Sequence, residues 1–271
     1  MPQCIHGVAG CIPRHRSAGG VQTLFENNLV YYDNQEASGA AISTSSPGTY
    51  NMSEQNTVGQ IAGLGAGQYG RELIVGNDEI LTLLATDGAL DLVPGLGDYT
   101  IAMWIRPDAG ISAGTAYMLG TYAADPNGGV GLQHAGGGSG RLIAFVDDNT
   151  GHSDNCQTIG SEIGDLREAW HLVIISLNRA TGIGLITIDN VLNAFFAPPA
   201  DLNISAIEDV QMGPTRYLAL GTDGWLPAAT YWGGIGPWGI WGKVTSVGEN
   251  TFLWNTGSAF KMFADFGGYV E

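Results

Sequence analysis

Residues Tyr99-Thr100-Ile101-Ala102-Met103-Trp104-Ile105 alternate with period two, yet both alternating sets are largely apolar. Tyr99, Ile101, Met103 and Ile105 share one face, and Ala102 and Trp104 share the other. Residues 141–146 and 170–177 repeat the pattern. A period of two is the signature of a strand, and apolarity on both faces places that strand inside a layered structure. Further strands are expected at 72–75, 80–84, 89–93, 117–122, 129–134, 183–189, 191–196, 217–220, 231–235, 238–241 and 259–263. The gaps between them carry turn residues, as in Asp87-Gly88, Asn149-Thr150-Gly151 and Ala180-Thr181-Gly182. Many short strands at this spacing predict an all-β jelly-roll sandwich rather than alternating β and α units. One short helix is expected near the C-terminus. Ser246-Val247-Gly248-Glu249 is a capping box, Phe252 and Leu253 supply apolar contacts, and Gly257 suits the position after the helix.

Length and composition agree. A 271-residue all-β chain can fold as one unit. Charged residues are 13% of the chain, about half the usual ~25%, which excludes coiled coils, helical solenoids and disordered chains. The 42 glycines follow no three-residue period, so collagen is excluded. Ten Lys and Arg against 26 Asp and Glu give a net charge of −16. That balance excludes nucleic acid and anionic membrane as partners, since both require a basic surface. The only charges in residues 1–20 are Arg14 and Arg16, so residues 21–271 carry −18, and no Lys or Arg falls between Arg16 and Arg71. A short basic arm on an acidic body is suited to docking. Residues 34–70 are rich in small and polar types. The expected organisation is therefore an arm and extended docking segment over 1–70 and the sandwich over 71–271. The N-terminal residues do not form a secretory signal, and no apolar run is long enough to span a membrane as a helix. Assembly in a cytoplasm is expected.

Residues able to carry chemistry are sparse. Cys4, Cys11 and Cys156 do not make a disulfide framework. Cys4, His6, Cys11 and His15 are four zinc-ligand types, but too tightly spaced for a structural zinc site. Glu162, Asp165 and Glu168 stand three apart, which puts neighbours on opposite faces of a strand and fits a solvated loop better than a carboxylate pair. There is no Gly-x-Ser-x-Gly elbow, and the five histidines share no spacing. Asp147, Asn149 and Asp154 could ligate calcium through hard oxygen atoms, although the same residue types build turns. No other cofactor is expected. The tryptophans cluster late. Trp238 is expected inward, while Trp225, Trp232 and Trp241 are candidates for an outward face or an edge that meets a glycan or a protein partner, with burial in the core or beneath the N-terminal segment the favoured alternative.

Four stretches resemble the laminin-G-like domain of the concanavalin A-like lectin and glucanase superfamily. Ala89-Leu90-Asp91-Leu92 with Tyr99 to Pro107 is similar to its opening strands, and Trp170-His171-Leu172-Val173 to its central Trp-His signature. Residues 183–189 resemble the following strand, which ends there in Asp-Gly where this chain has Asp189-Asn190. Gly234-Ile235 through Ile240-Trp241, with the capped helix, resemble the close. The resemblance implies a sandwich in which His171 is a framework residue. It leaves function open, because the superfamily includes lectins, hydrolases, adhesion modules and virion proteins. Its hydrolases carry Glu-x-Asp-x-Glu on one strand, and this chain lacks it. The expectation is a non-enzymatic structural or adhesive component of a tailed-phage virion, a capsid decoration or a fibre. It would dock through Arg14 and Arg16 onto a capsid or onto sister copies as a homo-oligomer. The alternative is a carbohydrate-binding lectin-like module, with or without calcium.

Overall fold

Two antiparallel sheets pack face to face in the computed structural model. It describes residues 24–269 except 26, 47, 112–115, 122–128, 136–140, 149–152, 158–165, 193–201, 208–209, 211–216, 223–230 and 255–258. In chain order the strands are β1 (Asn28–Tyr32), β2 (Ser53–Gln55), β3 (Gly59–Ala62), β4 (Tyr69–Leu73), β5 (Ile80–Leu84), β6 (Tyr99–Pro107), β7 (Ala116–Gly120) and β8 (Gly129–Ala135). They continue as β9 (Arg141–Asp147), β10 (Ser153–Gln157), β11 (His171–Asn178), β12 (Ile183–Ile188), β13 (Val191–Leu192), β14 (Leu202–Asn203), β15 (Tyr217–Leu220) and β16 (Gly233–Trp241). The nine-stranded sheet runs β13-β12-β11-β6-β16-β4-β3, with β1 on β16 and β14 on β12. The seven-stranded sheet runs β10-β9-β8-β7-β15-β5-β2. Among the described residues no helix is long and apolar enough to cross a membrane.

The two apolar faces of the central strands now have separate partners. Ile101, Met103, Ile105, Val173, Ile175, Trp238 and Ile240 face the second sheet and meet Leu81, Leu83, Val130, Leu132, Leu142 and Leu218 in the main core. Ala102, Trp104, Leu172, Ile174 and Trp241 point the other way. Their cover is helix α1 (Val247–Leu253), the 3-10 segment Phe263–Gly268, Phe260 and the N-terminal Leu24. The capping box forms as expected. Ser246 Oγ accepts from the Glu249 N–H at 3.1 Å, and Glu249 Oε2 accepts from the Ser246 N–H at 2.9 Å. Gly257 lies outside the described residues.

Several expectations need correction. The sandwich does not start at residue 71, because β1, β2 and β3 supply strands to both sheets. The small, polar segment before residue 71 has little core of its own and is held by Arg71, whose side chain is fully buried. Arg71 Nη2 donates to the carbonyls of Gly39 (2.6 Å) and Val58 (3.2 Å), and Nη1 to that of Glu36 (3.3 Å). Residues 89–93 are not a strand. Ala89–Leu92 is a 3-10 turn entered through Gly88 at φ 101°, and its buried Ala89 and Leu92 stand three apart, as three residues per turn demands. The segment 259–263 forms no strand. The two runs 231–235 and 238–241 are one strand, whose register shifts between Ile235 and Trp238, beside Pro237, which has no N–H to give.

Candidate functional site

The cover over the outer face of the nine-stranded sheet stops short of one end. Alternation along β6 carries Ala102 and Trp104 under the cover, then brings Arg106, and Asp108 just beyond the strand, out past it. Arg106 is paired with Gly234 on β16, and Gly234 in turn with Glu72 on β4. The Asp108 N–H donates to the Trp232 carbonyl at 3.0 Å, which extends the ladder by one step. Trp170 stands one residue before the His171–Ile105 pair. Arg106, Asp108, Glu72, Trp170 and Trp232 are all half-buried. The outer face thus changes from apolar and covered to aromatic, charged and accessible.

Glycines seat both tryptophans. The Trp170 Cη2 atom lies 2.7 Å from the points where a Cβ on Gly70 or on Gly234 would sit. Its indole N–H donates to the Ala62 carbonyl at 3.0 Å, and Phe260 meets the ring edge-to-face at 5.0 Å. The Trp232 ring comes within 2.7 Å of a Cβ position on Gly110. Gly110 is held in turn by Asp108, whose Oδ1 accepts from the Gly110 N–H at 2.7 Å. Arg106 Nε donates to the Glu168 carbonyl at 3.2 Å. The Glu72 carboxyl is raised above its ordinary 4.5, first by burial, then by the nearby Glu79 and Asp108, against the opposing pull of Arg106. Two aromatic rings beside a guanidinium and two carboxylates can stack on a ligand and exchange hydrogen bonds with it.

Of the residues singled out by sequence, Trp232 belongs to this face. Trp241 also lies on the outer side of the sheet, but it is 0% exposed. Its ring packs with Tyr31 and Phe266, and its N–H donates to the Leu24 carbonyl at 2.8 Å, so no ligand can reach it. Trp225, Arg14, Arg16 and Asn149 lie outside the described residues, as do Cys4, His6, Cys11, His15, Glu162 and Asp165. Asp147 ends β9 half-buried, and Asp154 is on the adjacent β10. Among the described residues no group of three or more His, Cys, Asp and Glu is placed to hold a metal ion. Glu168 occupies an exposed turn at φ 64°. His171 Nδ1 lies 2.6 Å from Asp189 Oδ2, while Asp189 Oδ1 accepts from the Leu172 N–H at 3.0 Å. That pairing fixes the start of β11 and gives His171 a framework place.

Sequence reading missed Trp170, Arg106, Asp108 and Glu72 as site residues. The available signal was the change of polarity on one parity of β6, from Ala102 and Trp104 to Arg106 and Asp108.

No family model matches the chain, and no curated protein matches it in sequence. Solved structures do share its fold. The binding domain of Paraclostridial Mosquitocidal Protein 1 superposes with a TM-score of 0.63 at 13% identity, over 86% of this chain and 53% of that one. The ligand binding domain of botulinum neurotoxin serotype D, solved in complex with N-acetylneuraminic acid, gives 0.60 at 15%, over 85% and 51%. Domain 4 of AbnA, a GH43 extracellular arabinanase from Geobacillus stearothermophilus, in complex with arabinotriose, gives 0.57 at 17%, over 84% and 98%. The chain spans about half the length of the first two and nearly all of the third. Identities this low establish a shared β-sandwich, and function must come from the site.

Proposed function

We propose that this chain is a non-catalytic binding module that recognises a glycan on the Trp170–Arg106–Trp232 face. The observation that carries the reading is the pair of half-buried, glycine-seated indoles that share the outer face with the Arg106 guanidinium, beyond the end of the C-terminal cover. Each indole offered to a sugar ring contributes about 1 kcal/mol, and the polar groups beside them set orientation. That the fold neighbours are binding domains supports the reading. So does the lack of a Glu-x-Asp-x-Glu strand.

The test is titration with oligosaccharides, followed by tryptophan fluorescence. Trp232→Ala should weaken binding at least about tenfold, in keeping with the loss of one stacked ring and its neighbours' order. Gly110→Ala, which drives a Cβ into the Trp232 ring, should weaken it while keeping the indole. Saturable binding indifferent to both changes would place the glycan elsewhere, and release of reducing ends from a polysaccharide would overturn the non-catalytic reading.

An adhesive module fits a larger carrier. We therefore keep the laminin-G-like assignment and the tailed-phage virion as the proposed setting, with Arg14 and Arg16 joining the module to a capsid or to sister copies. Calcium at Asp147, Asn149 and Asp154 is proposed as an accessory, detectable as a thermal midpoint lowered by EDTA and restored by calcium.

A further inference from the structure

We infer that the ligand of the Trp170–Arg106–Trp232 face is a neutral saccharide and that the face selects against sialic and uronic acids. The inference rests on the glycan reading above and concerns what that site admits.

The argument is one of charge placement. Arg106 shares this face with both rings, with Asp108 two residues further along the chain and Glu72 two strands away across Gly234. Its Nε is already committed to the Glu168 carbonyl. Glu79 lies behind Glu72 and cannot turn away. It is buried, its Oε2 accepts from the Ile74 N–H at 2.9 Å, and its Oε1 accepts from Asn77 Nδ2 at 2.9 Å. Arg167 reaches the same end but donates Nη1 to the Ala109 carbonyl at 3.4 Å. The crowding of Glu72, Glu79 and Asp108 also shows in the raised Glu72 carboxyl. An incoming carboxylate would therefore meet three negative charges, Glu72, Glu79 and Asp108, against the two guanidinium charges of Arg106 and Arg167. In water at ~6 Å each such charge weakens an anion by roughly threefold, and more where the pair is partly buried. Sugar hydroxyls face no such opposition. They donate to the Glu72 and Asp108 oxygens, accept from Arg106 and place their C–H faces on the indoles.

The test uses the full chain at 0.15 M salt against matched pairs of glycans, lactose with 3′-sialyllactose and galactotriose with trigalacturonate. Neutral members should bind, and each anionic partner should bind at least about threefold more weakly. The isosteric double change Glu72→Gln with Asp108→Asn should close that gap, because both side chains keep an accepting oxygen and lose only their charge. An anionic member that binds as well as its neutral partner, and is lost in Trp232→Ala, would overturn the charge selection and leave the glycan reading standing. A gap unchanged in the double variant would also overturn the selection mechanism. Failure of every member to bind would overturn the glycan reading and this inference together.

Discussion

Arg71 and Glu72 are adjacent on β4, and their opposite orientations give them opposite consequences. Arg71 turns inward, where burial depresses its guanidinium and Glu36 and Glu54 pull it back up. Its carboxylate partners lie 3.8 and 3.4 Å away and keep contact with solvent. Removing it leaves the carbonyls of Glu36, Gly39 and Val58 without this donor. Arg71→Leu should therefore cost about 3 kcal/mol, read as a lower urea midpoint with loosening of residues 34–62 in hydrogen exchange. Glu72 turns outward, and its carboxyl sits above the ordinary 4.5. A raised carboxyl favours the folded state in its protonated form, and that contribution is lost as pH rises from the ordinary value through the raised one. Glu72→Gln should thus be more stable than the parent at pH 7 and gain nothing below pH ~4, measured as thermal midpoint against pH. A constant difference across that range would mean the shift is not what separates them. Neither role is legible in the sequence, where Arg71 and Glu72 are two neighbouring charges at the expected start of a strand. Parity on β4 separates them, and parity is assigned only when the register with β16 is known.

At the scale of elements, double-sided apolar strands required a second cover, and the sequence supplied the demand without naming the cover. The period-two runs of β6, β9 and β11 were legible because burial on both faces leaves an unbroken apolar string. The capped helix was legible because Ser246 and Glu249 act locally. What was not legible is that α1 and the 3-10 segment fold back over Trp104, and that Leu24 and Tyr31 close over Trp241, because such packing joins residues more than a hundred positions apart. For the same reason the site, defined by where the cover ends, stayed hidden. Phe266 is the keystone of that cover. It is fully buried, with ring contacts to Tyr31 at 4.8 Å, Phe263 at 5.3 Å and Trp241 at 6.1 Å. Phe266→Ala should destabilise by about 3–5 kcal/mol, as large-to-small changes in well-packed cores do. It should also make Trp241 accessible to acrylamide quenching while the strand signal in circular dichroism persists. Loss of all strand signal at 25 °C would show instead that the sandwich depends on its cover to fold.

For the whole molecule, a net charge of −16 on a chain with ten basic residues is an opposing force that packing must exceed. Of the described cations, Arg71 is buried among carbonyls and Lys243 is locked to Glu249 inside the helix start. Excess carboxylates are therefore left to repel one another over the surface, and self-repulsion lowers the stability of a compact state. Salt shortens the range of that repulsion from ~30 Å at 0.01 M to ~8 Å at 0.15 M and ~3 Å at 1 M. The thermal midpoint should accordingly rise by about 2–4 °C between 0.02 and 0.5 M sodium chloride, equivalent to roughly 1 kcal/mol for a domain of this size. Deleting residues 1–20 removes Arg14 and Arg16 and leaves −18. Residues 1–20 hold few large apolar side chains, Met1, Ile5, Val8 and Ile12. The truncated chain should therefore melt within about 1 °C of the parent at high salt and slightly below it at low salt, since only the charge balance has changed. A midpoint lowered by several degrees at both salts would mean that the arm contributes to the body's own packing and is not reserved for a partner.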